Sequence, residues 1–256
     1  MQIDRMQTKT VKRRSVRASS PAPLQDERPA NDGEGGASDL EIYERIITSI
    51  MEHRLPPGTK LGEDKLANIF GASRARVRQV LARLALERVV VLHPNRGAFV
   101  AEPTVEDARE VFEVRRPLEA LVVRRIIAKK DPAIIARLRA HVEAEEAARA
   151  ARDRRAIIRL SGEYHILLAE LSGNALTARL MHELASLTCL IIFLYDAPSV
   201  PACRDQEHSE ITQALADRDE ATAIRLMTEH LEHVEACLDL SRGRPEELDL
   251  EAALAS

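Results

Sequence analysis

Gly71-Ala72-Ser73-Arg74-Ala75-Arg76-Val77-Arg78-Gln79-Val80-Leu81-Ala82-Arg83-Leu84 is the stretch on which the fold turns. Gly71 ends a short periodic run from Leu61 to Phe70, and Ser73 is a natural N-cap for a helix predicted from Arg74 to Glu87. Val77, Val80, Leu81 and Leu84 recur at three- and four-residue spacing and make the inner face of that helix. Arg74, Arg76, Arg78 and Arg83 surround the stripe. A short helix, a glycine turn and a basic second helix are the parts of a helix-turn-helix.

Upstream, Leu40, Ile42, Tyr43, Ile46, Ile47, Ile50 and Met51 predict a first helix from Asp39, stopped by Pro56-Pro57-Gly58. Downstream, Val89-Val90-Val91-Leu92 and Ala98-Phe99-Val100 read as two strands joined by His93-Pro94-Asn95-Arg96-Gly97, a loop rich in turn formers. Three helices and a hairpin in this order predict a winged helix-turn-helix. Its recognition helix would enter the major groove with Arg74, Arg76 and Arg78 near base edges, where arginine can bond guanine O6 and N7 together. Ser73 can offer its hydroxyl and amide to a phosphate. Lys65 on the second helix and Arg96 and Gly97 in the hairpin complete the DNA-facing set. A run of arginines is also how a solvated helix face looks, and the surrounding elements decide for double-stranded DNA as the partner.

Net charge does not oppose this. The whole chain carries −4, but Asp39 to Ala101 holds ten Lys or Arg against seven Asp or Glu, about +3, so the acid lies elsewhere. Aromatics make up only 3%, so the rest of the core must be Leu, Ile, Val and Ala, as in a helix bundle. After Thr104 the period is helical throughout, with breaks at Asp131-Pro132, Ser172-Gly173-Asn174 and Ala197-Pro198 to Pro201, which predicts six or seven helices. The expected fold is mainly α: a winged helix-turn-helix at 38–102, then an all-α antiparallel bundle at 103–241. Residues 1–37, with the basic run Lys12, Arg13, Arg14 and Arg17, are expected to form a disordered arm, and 242–256 a flexible tail.

No stretch of about 18 uncharged apolar residues occurs, and the first residues lack the apolar run of a signal peptide. A cytoplasmic protein with no membrane partner is expected. Cys189, Cys203 and Cys237 are odd in number and lack CxxC spacing, so neither a disulfide framework nor a zinc ribbon is indicated.

Three histidines stand on apolar helix faces. His165 shares one with Ile158, Ser161 and Leu168, His208 one with Ile211 and Leu215, and His230 one with Leu226, Met227 and Val234. Each alone is most simply a satisfied core residue. Three pointing inward from three helices predict a site for a divalent metal, because imidazole suits zinc, nickel, copper or iron.

The segment from Ile42 to Val100 resembles the GntR-type winged helix. The resemblance rests on Pro57-Gly58-Thr59-Lys60-Leu61, Leu66-Ala67, Gly71-Ala72-Ser73-Arg74, Val77-Arg78, Leu81 with Arg83-Leu84, and Asn95-Arg96-Gly97-Ala98-Phe99-Val100. It implies that Arg74 and Arg78 read bases and backbone and that Gly97 is a wing tip in the minor groove. Asp64 stands where several relatives place a DNA-contacting arginine, and Arg76 where many have proline. Val105 to Leu240 resembles the FCD type, the FadR C-terminal domain, through Val114-Arg115 with Leu118-Glu119, Tyr164-His165, Ser172-Gly173-Asn174, Glu207-His208 and Glu229-His230-Leu231. That resemblance implies a divalent metal, zinc or nickel, on His165, His208 and His230, with Ser161 where the family has an aspartate ligand. It further implies a small organic-acid effector at the metal, with Arg115 and Asn174 on the rim, and a homodimer on an inverted repeat, most often as a repressor.

Two rivals remain at this point. Three histidines with an open position are also a hydrolytic zinc layout, although no His-Glu-x-x-His helix or neighbouring general base accompanies them. An architectural DNA binder whose bundle only dimerises would show no effector-dependent release.

Overall fold

The computed structural model describes residues 36–196 and 206–241. The basic run of the arm, the break at Pro198–Pro201, Cys203 and the C-terminal tail lie outside those residues.

Helix α1 (Asp39–Met51) begins at a reciprocal cap: the Ser38 hydroxyl accepts from the Glu41 amide at 3.2 Å, and the Glu41 carboxylate accepts from the Ser38 amide at 2.7 Å. It is followed by β1 (Lys60–Leu61), α2 (Glu63–Phe70), α3 (Arg74–Leu86), β2 (Val90–His93) and β3 (Gly97–Val100). Gly71, at φ +62°, ends α2 in the left-handed region that glycine enters without a Cβ penalty. Ser73 caps α3 by accepting from the Arg76 amide at 3.2 Å.

The wing is a three-stranded antiparallel sheet in the order β1-β3-β2. The predicted hairpin is β2 and β3, paired from Val90 with Val100 to His93 with Gly97. The sequence pattern does not predict β1, which pairs Lys60 with Phe99 and Leu61 with Ala98. Ile42, Ile46, Ile50, Val77, Leu81, Leu84 and Val89 bury together to hold the head. Each contributes on the order of 1.5–3 kcal/mol of transfer free energy.

Six helices follow among the described residues: α4 (Val105–Lys129), α5 (Pro132–Ala150), α6 (Arg154–Leu171), α7 (Ala175–Tyr195), α8 (Glu207–Asp217) and α9 (Glu220–Ala236). Asp131, Asp153, Asn174 and Asp219 cap the N-termini of α5, α6, α7 and α9 through their side chains. Helix α7 is long and apolar enough to cross a membrane by composition, yet it buries Met181, Ala185, Leu190 and Ile191 against its neighbours as a core helix.

The head and the bundle share a core. Ile166 of α6 and Ala185, Cys189 and Leu190 of α7 join the cluster built on α1. At Gly162 on α6, a Cβ would stand 3.0 Å from Met51 Cε and 3.1 Å from Cys189 Sγ, so the missing side chain lets the two parts approach. The His53 ring nitrogen Nε2 lies 2.9 Å from the Cys189 carbonyl, and Arg159 bonds Glu52 at 2.9 Å across the same boundary.

Candidate nucleic-acid interface and metal centre

The N-terminal half of α3 presents its arginines in two ways. Arg74 and Arg78 are each 68% exposed, one turn apart on one face. Arg74 meets Asp64 through Nε, and Arg78 lies on Glu63 with Nε at 2.9 Å and Nη2 at 2.6 Å. Arg76 is only 19% exposed and turns inward: its Nε reaches Asp39 at 3.0 Å and its Nη1 the Ala37 carbonyl at 3.3 Å. Of the arginines predicted to face DNA, Arg76 therefore holds α3 to the start of α1. The physical reason is its position, a half-turn away from the Arg74–Arg78 face. Ser73 and Lys65 are exposed, as are Arg96 and Gly97 at the hairpin tip, where Gly97 has φ +96° and the Arg96 guanidinium sits 5.6 Å from the Phe99 ring centre.

Replacing Arg76 with alanine is expected to cost about 1 kcal/mol of stability, the scale of a part-buried hydrogen bond, and to leave base preference unchanged. Thermal melting and gel shifts of Arg76→Ala on several duplexes measure the two effects separately.

In the bundle, α6, α8 and α9 bring His165, His208 and His230 together, each no more than 3% exposed. Their Nε2 atoms converge, 3.2 Å between His165 and His230 and 3.4 Å between His208 and His230. Their Nδ1 atoms all point outward onto carboxylates: His165 to Glu119 at 2.6 Å, His208 to Glu145 at 2.9 Å, and His230 to Glu207 at 2.7 Å. Burial pushes His165 down to about 3 and His208 well below its ordinary value, so both rings are neutral at neutral pH. Against the upward push of burial, the charge of Arg115 and the hydrogen bonds from His165 and Arg115 hold Glu119 down at about 2.

A neutral ring with a carboxylate at Nδ1 carries its proton there, which leaves a bare lone pair at Nε2. Facing ring nitrogens at these distances repel unless a proton or a metal cation lies between them. Tetrahedral ligands about 2.0–2.1 Å from zinc stand roughly 3.3–3.4 Å apart, and the two Nε2 separations match that spacing. The donor set fits a divalent metal, and each histidine has the carboxylate partner that fixes tautomer and ring orientation in such centres.

Ser161 lies one turn before His165 on α6 and is half-buried. Arg115 is buried at 2% exposure and belongs to the network around the centre: its Nε bonds Glu119 at 2.9 Å and its Nη1 bonds Thr188 at 2.9 Å. Asn174 is not brought to this cluster. Its Oδ1 caps α7 by accepting from the amides of Leu176 and Thr177, and it follows the end of α6, roughly 9 Å of helix rise beyond His165. Sequence reasoning missed Glu119, Glu145 and Glu207. Glu119 had a signal in its four-residue spacing from Arg115, and Glu207 in its place beside His208, whereas Glu145 on α5 had none.

Residues 39–100 match the family described as bacterial regulatory proteins, gntR family, and residues 110–233 match the FCD domain. The chain is a GntR-family transcriptional regulator with an FCD domain. This GntR regulator is 26% identical over 198 residues to the uncharacterized HTH-type transcriptional regulator YdhC of Bacillus subtilis, covering 76% of this chain and 88% of that one. It is 24% identical over 195 residues to the HTH-type transcriptional repressor RspR of Escherichia coli, covering 76% and 86%. The solved structure of E. coli McbR/YncC superposes with a TM-score of 0.67 at 18% identity, covering 77% of this GntR regulator and 95% of that chain, which shows the shared fold. These families and relatives are transcriptional regulators, not enzymes.

Proposed function

We propose that this GntR regulator binds an inverted-repeat operator as a homodimer in the cytoplasm, acts as a repressor, and is modulated by a small carboxylate metabolite at a divalent metal held by His165, His208 and His230. The observation that carries the sensing part is the arrangement of the rings, with three Nε2 atoms turned inward and every Nδ1 held by a glutamate. When bound, zinc or nickel would supply a Lewis-acidic centre that accepts an anionic oxygen. Ser161 in place of an aspartate leaves the set of donors neutral, which favours an anionic ligand over water.

Arg115 reaches the network through Glu119, on the Nδ1 side of His165, and is the cation we assign to an effector anion there. Its Nη2, 2.6 Å from Glu119 Oε1, makes no hydrogen bond of good geometry, so a buried N–H is left to satisfy. Asn174 has no part in this reading. Arg74 and Arg78 read the half-sites, Ser73 and Lys65 contact phosphates, and Arg96 with Gly97 enters the minor groove. The repressor reading draws on the name of RspR.

The test is an anisotropy titration of the metal-loaded protein on a duplex from its own promoter, with a panel of small mono- and dicarboxylates. At least one acid is expected to weaken DNA binding, and only while metal is present. Binding that ignores every acid and also ignores metal removal would overturn the sensing role.

Exposed apolar side chains support the dimer. Val114 (50%) and Leu121 (41%) on α4, with Leu176 (55%) and Leu180 (37%) on α7, repeat along two helices that pack together. A chain beginning near Ala37 is expected to sediment as a dimer, and replacing Val114 and Leu180 with glutamate is expected to give monomers.

A further inference from the structure

The acids at the start of α2 touch the arginines at the start of α3, although a DNA-binding surface gains nothing in affinity from carboxylates. Glu63 accepts from Arg78 Nε at 2.9 Å through one oxygen and from Nη2 at 2.6 Å through the other. We infer that Glu63 is a specificity-determining positioning residue, gripping the side edge of the Arg78 guanidinium so that its end edge is presented to read one guanine in each half-site. The inference rests on the proposed reading of α3 as the recognition helix.

A guanidinium has five N–H groups in a fixed plane. Glu63 takes the one on Nε and one on Nη2. Two on Nη1 and one on Nη2 remain, and the adjacent Nη1–Nη2 pair is the fork that matches guanine O6 and N7. Arg78 is 68% exposed, so that fork is open to solvent, while Glu63 is half as exposed at 33%. An unheld arginine has rotamer entropy to lose on docking, and the carboxylate removes part of it before DNA arrives. Glu63 stays ionised because the hydrogen bonds from Arg78 lower its pKa, and it occupies the first turn of α2, where a negative charge suits the helix dipole.

A bland alternative is that Glu63 only serves its own helix end. Removing a negative charge near DNA strengthens binding to any duplex, so affinity alone cannot separate the two. Base preference can. Exposed ion pairs contribute little to stability, so Glu63→Gln is expected to leave the head folded, and melting curves verify this.

The experiment selects binding sites from a random-sequence duplex library with full-length wild type, Glu63→Gln, Glu63→Asp and Arg78→Ala. Wild type is expected to fix a guanine at one position of each half-site. Arg78→Ala should lose that preference. Glu63→Gln should weaken it at the same position by roughly tenfold, with binding to an arbitrary duplex unchanged or tighter, and Glu63→Asp, whose carboxylate falls one methylene short of the Arg78 guanidinium, should also weaken it. If both Glu63 variants select the wild-type bases with undiminished preference while Arg78→Ala does not, the positioning role is overturned and the reading of α3 stands. If Arg78→Ala also selects the wild-type bases, the reading of α3 fails and takes the inference with it.

Discussion

A protein carrying both Arg74→Ala and Arg78→Ala is expected to lose specific DNA binding while remaining folded and dimeric. Each arginine is expected to contribute about 1–3 kcal/mol of discrimination if it reads a base, so the double variant loses about 2–6 kcal/mol if the two act independently. Their one-turn separation makes some coupling natural. Both side chains are exposed and pair with acids of α2, so their removal leaves the apolar core of the head untouched. Lys65→Ala should behave differently. Removing a cation from a phosphate weakens binding to all sequences alike and flattens the salt dependence by about 0.9 in log–log slope. Anisotropy titrations on selected and arbitrary duplexes at several salt concentrations separate these effects, and a double variant that keeps wild-type discrimination would remove α3 from the interface.

Removal of two imidazoles should have the other large effect. His208→Ala/His230→Ala takes two of three donors from one ion, and the variant is expected to purify without metal where wild type carries about one divalent ion per chain. Metal binding links to folding, so wild type stripped with chelator should melt at lower temperature and recover when zinc or nickel is returned, while the variant should not respond. Glu145→Gln makes a finer test. Its carboxamide can still accept from His208 Nδ1 but lacks the charge, so metal affinity should fall by roughly 10–100-fold without abolishing binding. Elemental analysis and calorimetry read both outcomes.

The head was legible because its signals are local. Gly71 supplies the positive φ that ends α2, Ser73 caps α3, and the three- and four-residue spacing of Ile42, Ile46, Ile50, Val77, Leu81 and Leu84 marks the faces that meet. The strand at Lys60–Leu61 was not legible, since two residues show no alternation and pair with β3 only through the tertiary fold. In the bundle, breaks carrying Gly or Pro could be read. Those at Arg152-Asp153 and Arg218-Asp219 could not, because there an arginine takes the left-handed conformation, at φ +54° and +60°, and an aspartate starts the next helix.

The centre was half legible. Each histidine sits on an apolar face of its own helix, and that periodicity placed all three inward. Their partners come from elsewhere: Glu145 is 63 positions from His208, and Glu119 is 46 from His165. No pattern within a helix connects such pairs. Asn174 reads from the sequence as part of an effector rim, whereas the turn Ser172-Gly173-Asn174 ends one helix and caps the next. Arg115 has the four-residue spacing from Glu119 that places both on one face, and its burial follows from pairing there.

The central claim is that the three Nε2 atoms hold a divalent ion. Diffraction from crystals grown with zinc, recorded on both sides of the zinc absorption edge, tests it directly. A single anomalous peak bonded to Nε2 of His165, His208 and His230 is the predicted result; the same three rings in the same places around no anomalous peak, at saturating zinc, would contradict it.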